Sequence, residues 1–483
     1  MFIAPHKGTK NRPFRSQSVH TSEETGQRPR SKGTQGDGCG MNETTETTAT
    51  TVPAMAKQVA EVRVRWAWAE PSVWTDRMLT ALEQGVKGGV WFSLIDKVYA
   101  PANLFASYAK VAANGGAAGV DHVTVEDFTK RLSCNLEKLA GQLKDDEYRP
   151  QSVRRVNIPK PGTKETRPLG IPTVRDRVVQ GALRHVLEPI FERQFAEHSY
   201  GFRPGRGCKD ALRRVDKLLK QGCRYVVDVD LKSYFDTIPH DKLLDEVRKH
   251  VGDSRVLALI EAFLKADIFD GMRQWTPESG APQGAVLSPL LSNLYLNELD
   301  HHMARLGYEM TRYADDLVIQ CRSREEAERA LSLVRAWTAQ AGLTLHPTKT
   351  KIVDAETDGF EFLGYRFVKH RRFPRQKSLA KFKDAIRAKT RRANGRSLNM
   401  IVADVNRTVR GWYEYFKHSY RTTFPDLDGW VRMRLRSILR KRRGGAGRGR
   451  GADHQRWPNA FFTEHGLFSL TMAHVLDSQP SCR

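Results

Sequence analysis

The sequence predicts an α+β fold: a sheet carrying carboxylates at its strand ends, followed by a basic helical region. Three observations carry this. Residues 225–231 alternate so that Tyr225, Val227, Val229 and Leu231 share one strand face while Asp228 and Asp230 share the other. Residues 311–321 set Asp315 and Asp316 between two short apolar or β-branched runs, the pattern of a tight hairpin with both carboxylates on its tip. Beyond residue 373 the period changes to that of helices, and the charge becomes strongly positive.

Taken in order, residues 1–60 are rich in Thr, Ser and Gly and poor in aromatics, so they are expected to be a disordered N-terminal segment. Met78, Leu79, Leu82, Val86, Val90 and Leu94 recur near helical spacing across Gly88-Gly89, predicting two short helices. Phe128, Leu132, Leu136 and Leu139 predict one helix over 126–143. Residues 154–172 read as two strands around Pro161-Gly162, presenting Lys160 and Arg167. Such a hairpin is either a solvated surface element or a clamp for a triphosphate, Arg offering a fork and Lys a point charge. The run Tyr200-Gly201-Phe202-Arg203 suits close backbone approach to a nucleic-acid strand, or equally a packed loop. A helix is expected from about His240. Pro282-Gln283-Gly284 is a bend that exposes Gln283 before an apolar helix reaching about Leu299. Ala327, Ala330, Leu331 and Val334 give a further helix closed by Gly342, and residues 343–353 another strand. Strand, helix, strand-turn-strand, helix, strand is the order of a split β-α-β, ferredoxin-like unit.

At 483 residues the chain is long enough for several cores. Its net charge of +24 is uneven, because residues 369–450 hold 25 basic against 5 acidic residues. That excess implies a polyanionic partner, with nucleic acid ahead of membrane. No apolar run approaches a membrane span, and no signal-type segment opens the chain. Six cysteines without paired or zinc-type spacing fit free thiols in a reducing cytoplasm.

An acidic pair in a turn has a bland explanation, local hydrogen bonding. A second carboxylate strand changes the balance, since carboxylates beside a sheet need a partner cation. The expected sheet brings Asp230 and Asp315 together, which suits a two-metal site clamping the oxygens of a phosphoryl transfer. Magnesium suits hard oxygen ligands completed by substrate phosphates.

Tyr313-Ala314-Asp315-Asp316, the Asp230 strand, the Pro282-Gln283-Gly284 bend and the Lys160/Arg167 hairpin, in this arrangement, resemble a reverse transcriptase. Arg167-Pro168-Leu169-Gly170-Ile171-Pro172, Ser199-Tyr200-Gly201-Phe202-Arg203-Pro204 and Phe362-Leu363-Gly364-Tyr365 are similar to the reverse transcriptase/maturases of bacterial group II introns, over about residues 74–470. The resemblance implies a right-hand polymerase: fingers and ferredoxin-like palm over 61–373, a helical thumb and maturase-specific domain over 374–443, and a basic linker and tail over 444–483 without a Cys/His endonuclease domain. It implies catalytic carboxylates Asp230, Asp315 and Asp316, with Asp230, Asp315 and the Leu231 carbonyl as Mg2+ ligands. Asp228 is expected to be a hydrogen-bonded strand carboxylate. Lys160 and Arg167 match triphosphate-binding positions, Phe235 the position that screens the nucleotide sugar, and Gln283 one near nucleotide and template. The implied partners are group II intron RNA, an RNA template with a DNA primer, dNTPs and target DNA, in a bacterial cytoplasm near the nucleoid. The alternatives are a reverse transcriptase co-opted by a retroelement or defence system, and an RNA-binding splicing factor without polymerase activity.

Overall fold

The computed structural model describes residues 61–159, 166–449 and 451–478. The expected disordered segment 1–60 and Lys160 lie outside the described residues. The strands are β1 Val153–Pro159, β2 Thr166–Ile171, β3 Tyr225–Asp230, β4 Ile268–Phe269, β5 Gln274–Trp275, β6 Glu309–Tyr313, β7 Asp316–Cys321, β8 Lys351–Asp354, β9 Phe360–Phe362, β10 Tyr365–Val368 and β11 Arg371–Pro374. The central sheet runs β6-β7-β3-β8 with every neighbouring pair antiparallel. Helix Ser288–Arg305 precedes β6, and helix Arg324–Gln340 joins β7 to β8. This is the split β-α-β arrangement.

Alternation along β3 decides what covers each face. Val227, Val229 and Leu231 join Leu317, Ile319 and Cys321 in the main apolar core, under the flanking helices. On the other face Val226, Val318 and Val353 pack with helix Cys208–Lys220 and the β9–β11 sheet. Asp228, Asp230 and Asp316 lie further along that second face and are only partly covered.

Two expectations change here. Residues 126–143 form two helices, Val125–Lys130 and Leu132–Lys144, because Arg131 leaves helical geometry at φ −125° and ψ 38°. Residues 343–353 are not one strand. Leu345 makes an isolated bridge to Leu231, and regular pairing begins only at Lys351.

A second four-stranded sheet has the order β2-β1-β4-β5. The third, β11-β10-β9, turns sharply at Leu363 and Gly364, where φ is +47° and +83°. Tyr415 Oη donates to the Leu363 carbonyl at 2.7 Å and Ser378 Oγ to that of Gly364 at 3.2 Å, tying the turn to the helices that follow.

Those helices are Gln376–Lys389, Leu398–Phe416 and Thr423–Arg442, packed through Phe382, Ile386, Val405, Val409, Leu435 and Ile438. The stretch 444–483, expected to be a basic linker and tail, is partly built in. Arg440, near the end of helix Thr423–Arg442, donates from Nη1 to Asp453. Short helices Ala452–Arg456, Asn459–Glu464 and Leu470–Ser478 place Trp457, Phe462 and Leu470 in the same core. A fully buried side chain of this size contributes roughly 1.5–3 kcal/mol, which favours docking of the tail over a free linker. Arg436, 3% exposed, stacks on Phe462 and donates to the Trp457 carbonyl at 2.8 Å.

Helix Val174–Glu192 is buried along most of its length and carries His185. The ring binds Asn103 Oδ1 through Nδ1 at 2.8 Å, while Nε2 lies 2.8 Å from the Lys110 ammonium. Since Lys110 can only donate, Nε2 accepts and the ring is neutral. Burial chiefly, then the Lys110 charge, lowers its pKa to about 4. The unfolded chain therefore binds more protons between pH 4 and 6.5. No cost arises above pH 6.5, and one of about 3 kcal/mol develops as pH falls to 4. Urea unfolding at pH 7 and 4.5 should show a steeper loss in the parent than in His185→Gln. Equal losses would contradict this assignment.

Candidate active site

Asp230 ends β3, Asp316 begins β7, and the two are cross-strand partners. The backbone of Asp230 is engaged on the opposite side, its carbonyl accepting from His346 N–H at 2.8 Å and its N–H donating to Thr350 Oγ1 at 3.3 Å. A strand residue turns both backbone groups to one side, so Asp230 and Asp316 form a non-hydrogen-bonded pair, the kind whose side chains approach most closely. Leu231 faces the other way. The bonds flanking its bridge to Leu345 use Lys232 N–H and the Asp230 carbonyl, which leaves the Leu231 carbonyl on the β7 side.

Tyr313 and Asp316 are the last pair of the β6–β7 hairpin, so Ala314 and Asp315 alone make its turn. This corrects the expectation that both carboxylates sit on the tip: Asp316 is a strand residue beside Asp230. Ala314 has φ +58°, a conformation that costs a residue with a Cβ roughly 1–2 kcal/mol. Of the segment left open between nucleic-acid approach and packing, Gly201 and Arg203 are buried and Tyr200 is half-buried, while Phe202 is exposed. Tyr200 N–H donates to the Arg312 carbonyl at 2.9 Å, and a Cβ on Gly201 would stand 2.3 Å from the Ala314 nitrogen. Arg203 is buried on Glu192, with Nη2 to Oε1 at 2.8 Å.

Crowded acids shift one another. Burial raises the pKa of Asp316, and the charges of Asp315 and Asp230 add to the rise while Arg375 opposes it. Asp228 is pushed up to about 7, chiefly by burial, with Lys351 opposing and Asp316 and Asp230 adding. Among the described residues no hydrogen bond reaches the Asp228 carboxylate, so it is not the hydrogen-bonded strand carboxylate expected. Lys351, its β8 neighbour in register, is the nearby compensating charge. Lys349 Nζ lies 3.4 Å from Asp230 Oδ2.

Burial lowers the pKa of Arg167 on β2, and the nearby charge of Asp315 opposes that shift only in part. Its Nη1 is buried without a hydrogen-bond partner among the described residues. The β2 strand is fastened to the Pro282-Gln283-Gly284 bend: Gly170 N–H donates to the Gln283 carbonyl at 2.7 Å. Gly284 has φ +110°, and a Cβ there would lie 2.5 Å from the Gly170 carbonyl oxygen. Phe235 and Gln283 line one cavity of about 540 Å³, with Pro168, Gly170, Asp236 and Trp275. The three carboxylates do not line it.

Reverse transcriptases use divalent metal ions, and the residues present fit that requirement in kind. Among the described residues no group of three or more His, Cys, Asp or Glu side chains would hold a metal alone. Such a cage is not needed where one or two carboxylates, a carbonyl and substrate phosphates share the coordination. Asp230, Asp315 and Asp316 supply carboxylates of that kind at one sheet end, and the Leu231 carbonyl is a backbone oxygen on the same side.

The sequence reading missed Arg312, Asp300 and Asn293, all buried, which join behind the hairpin. Their signal was present: a charged residue inside a hairpin strand needs a buried partner. Asn293 and Asp300, seven apart, recur on one face of helix Ser288–Arg305.

This hairpin, sheet and bend are those of a reverse transcriptase. Residues 158–367 match the family described as Reverse transcriptase (RNA-dependent DNA polymerase), and residues 379–457 match the Group II intron, maturase-specific domain. Protein YkfC of Escherichia coli (strain K12) is 36% identical over 293 residues, 52% of this chain and 76% of that protein. Group II intron-encoded protein LtrA of Lactococcus lactis subsp. cremoris is 37% identical over 220 residues, 45% of this chain and 36% of LtrA. A 91 kDa protein in the cob intron of Schizosaccharomyces pombe is 30% identical over 318 residues, 53% of this chain and 39% of that protein. The match thus spans about three quarters of YkfC but little more than a third of the other two. The chain belongs to the group II intron reverse transcriptase/maturases, and its enzyme class is RNA-directed DNA polymerase.

Gly284→Ala should cost about 1–3 kcal/mol of stability, the usual price of a strained glycine-only conformation. It should also raise the KM for dNTPs, since the bend that carries Gln283 must move. Thermal unfolding and steady-state primer extension check the two effects. An unaltered KM with full stability would refute the role given to the bend.

Proposed function

We propose that the protein copies intron RNA into DNA from a DNA primer and assists splicing and mobility of its intron. The observation that supports this most is the convergence of Asp230, Asp315 and Asp316 at one sheet end, near Arg167, whose buried Nη1 has no hydrogen-bond partner among the described residues. Asp230, Asp315 and the Leu231 carbonyl would hold two Mg2+ ions. Bound there, such ions activate the primer 3′-hydroxyl and neutralise charge on the leaving pyrophosphate. Asp316 sets the charge beside Asp230. Arg167, with Lys160, binds the triphosphate and aligns it, Arg167 through two nitrogens of a rigid fork. Phe235, in the cavity lining, excludes a 2′-hydroxyl of the sugar by bulk, while Gln283 positions the nucleotide against the template.

The helical region from 376 onward serves as thumb and maturase-specific domain, and the shared core extends it to 478. Its exposed cations bind intron RNA, the template–primer duplex and target DNA by phosphate contacts. Lys383 and Arg387 both lie over the Trp430 ring, within 5.8 Å and 5.7 Å of its centroid, an aromatic and two cations in one place. None of the described helices is long and apolar enough to cross a membrane. We place the protein in a bacterial cytoplasm, near the nucleoid when bound to DNA.

Asp230→Asn or Asp315→Asn should reduce template–primer extension by at least about 10²-fold, since each removes a charge from the site of phosphoryl transfer. Intron RNA affinity, measured by filter binding, should not change. Extension near the parent rate in either variant would remove that residue from the site.

Phe235→Ala should admit ribonucleotides more readily. The check is the ratio of dNTP to rNTP incorporation on one template, and an equal ratio in variant and parent would refute the steric role.

A further inference from the structure

Arg312 precedes the Tyr313–Asp316 hairpin and has no exposed surface. Its guanidinium is spent entirely on protein. Nε donates to Asp300 Oδ1 at 2.8 Å and to Oδ2 at 3.0 Å, and Nη2 donates to the same carboxylate. Nη1 donates to Asn293 Oδ1 at 2.9 Å and to the Ala314 carbonyl at 3.0 Å. A buried guanidinium needs a compensating charge, and Asp300 supplies it. That accounts for Nε and Nη2 but not for Nη1, which reaches past the ion pair to the turn.

The turn needs outside support. Ala314 has φ +58°, a conformation that persists in a residue with a Cβ only where the surroundings impose it. Asn293 links its two supports, because Oδ1 accepts from Arg312 while Nδ2 donates to the Gly201 carbonyl at 2.7 Å. Gly201 lies directly against the Tyr313 and Ala314 backbone, where any side chain would collide with it. The peptide that carries Asp315 is therefore held by Arg312 Nη1 and by the Gly201 backbone, and Asn293 fastens one to the other.

We infer that Asp300, Arg312 and Asn293 form a positioning network for the polymerase reaction, in which the bond from Arg312 Nη1 to the Ala314 carbonyl aims Asp315. The inference rests on the reading of Asp315 as catalytic. None of the three reaches substrate; they act through Ala314.

Asn293→Ala is the most direct test, since it keeps the Arg312–Asp300 ion pair and removes only the link. In single-turnover primer extension the rate constant should fall about tenfold or more, the scale of a small misplacement of a reacting group. The reactive amplitude and primer–template affinity should stay at parent values. A loss of amplitude with an unchanged rate constant would mean that the network only supports folding, and would overturn the inference. Arg312→Lys retains the charge without the fork and should show a comparable fall in rate constant; a parent-like value would overturn it as well. Hydrogen exchange provides a readout independent of activity. Amides of 309–321 should exchange at least about tenfold faster in Asn293→Ala than in the parent, with 225–230 unchanged. If the parent itself fails to extend a primer, the polymerase reading fails, and hairpin exchange still decides the network: equal exchange in variant and parent defeats it.

Discussion

Two carboxylates stand opposite each other across β3 and β7, with a third on the adjoining turn. Like charges directly opposite in an antiparallel pair are destabilising, so this end of the sheet opposes folding and must be held by the remainder. The opposing force is apolar. Val227, Val229, Leu317 and Ile319 anchor one face of the same two strands in the main core, and Val226 and Val318 anchor the other. Burial that stabilises the strands also raises the pKa of Asp316 and Asp228. A site so arranged favours cations, whether the ammonium of Lys349 or the metal ions of the proposed reaction.

Segments far apart in the chain meet around that end mostly through bonds to backbone groups. Gln180 Oε1 accepts from Val286 N–H at 2.8 Å across 106 residues, fixing the start of the helix after the Gln283 bend. Asn293 reaches Gly201 across 92 residues, and Tyr415 reaches Leu363 across 52. Side-chain to backbone bonds of this kind specify position more than they add stability, since each nets only about 1 kcal/mol while an unmade one is expensive. They let the β1–β2 hairpin, the central sheet and the helical region keep a defined relation at the active site.

The positive charge divides into two populations. Arg436 and Arg434 are used inside the helical region, Arg436 on Phe462 and the Trp457 carbonyl, Arg434 on the Thr390 carbonyl at 2.8 Å. Beside Trp430, Arg387 is exposed and paired with Asp384, and Lys383 is half-buried. Charge counted along the sequence therefore overstates what a polyanion meets, because a guanidinium can serve as packing and as a donor to carbonyls.

What the sequence determined by itself is local. The two-residue period of 225–231 showed which face carries Asp228 and Asp230. The helical period of 327–334 showed a helix with its buried side, the change to a helical period beyond residue 373 showed a helical region, and the motifs around Asp315 and Gln283 indicated the class of enzyme. Only the tertiary structure decided that Asp316 rather than Asp315 is the strand partner of Asp230, that Asp228 lacks the hydrogen bonds expected of it, and that the segment at Gly201 supports the turn. It also decided that the tail after Arg442 folds back through Trp457 and Phe462. A period repeats within a few residues and is visible in the order of side chains. Register, the partner of a buried charge and the fit of a glycine against a distant turn depend on contacts between segments a hundred residues apart, where no local pattern records the match.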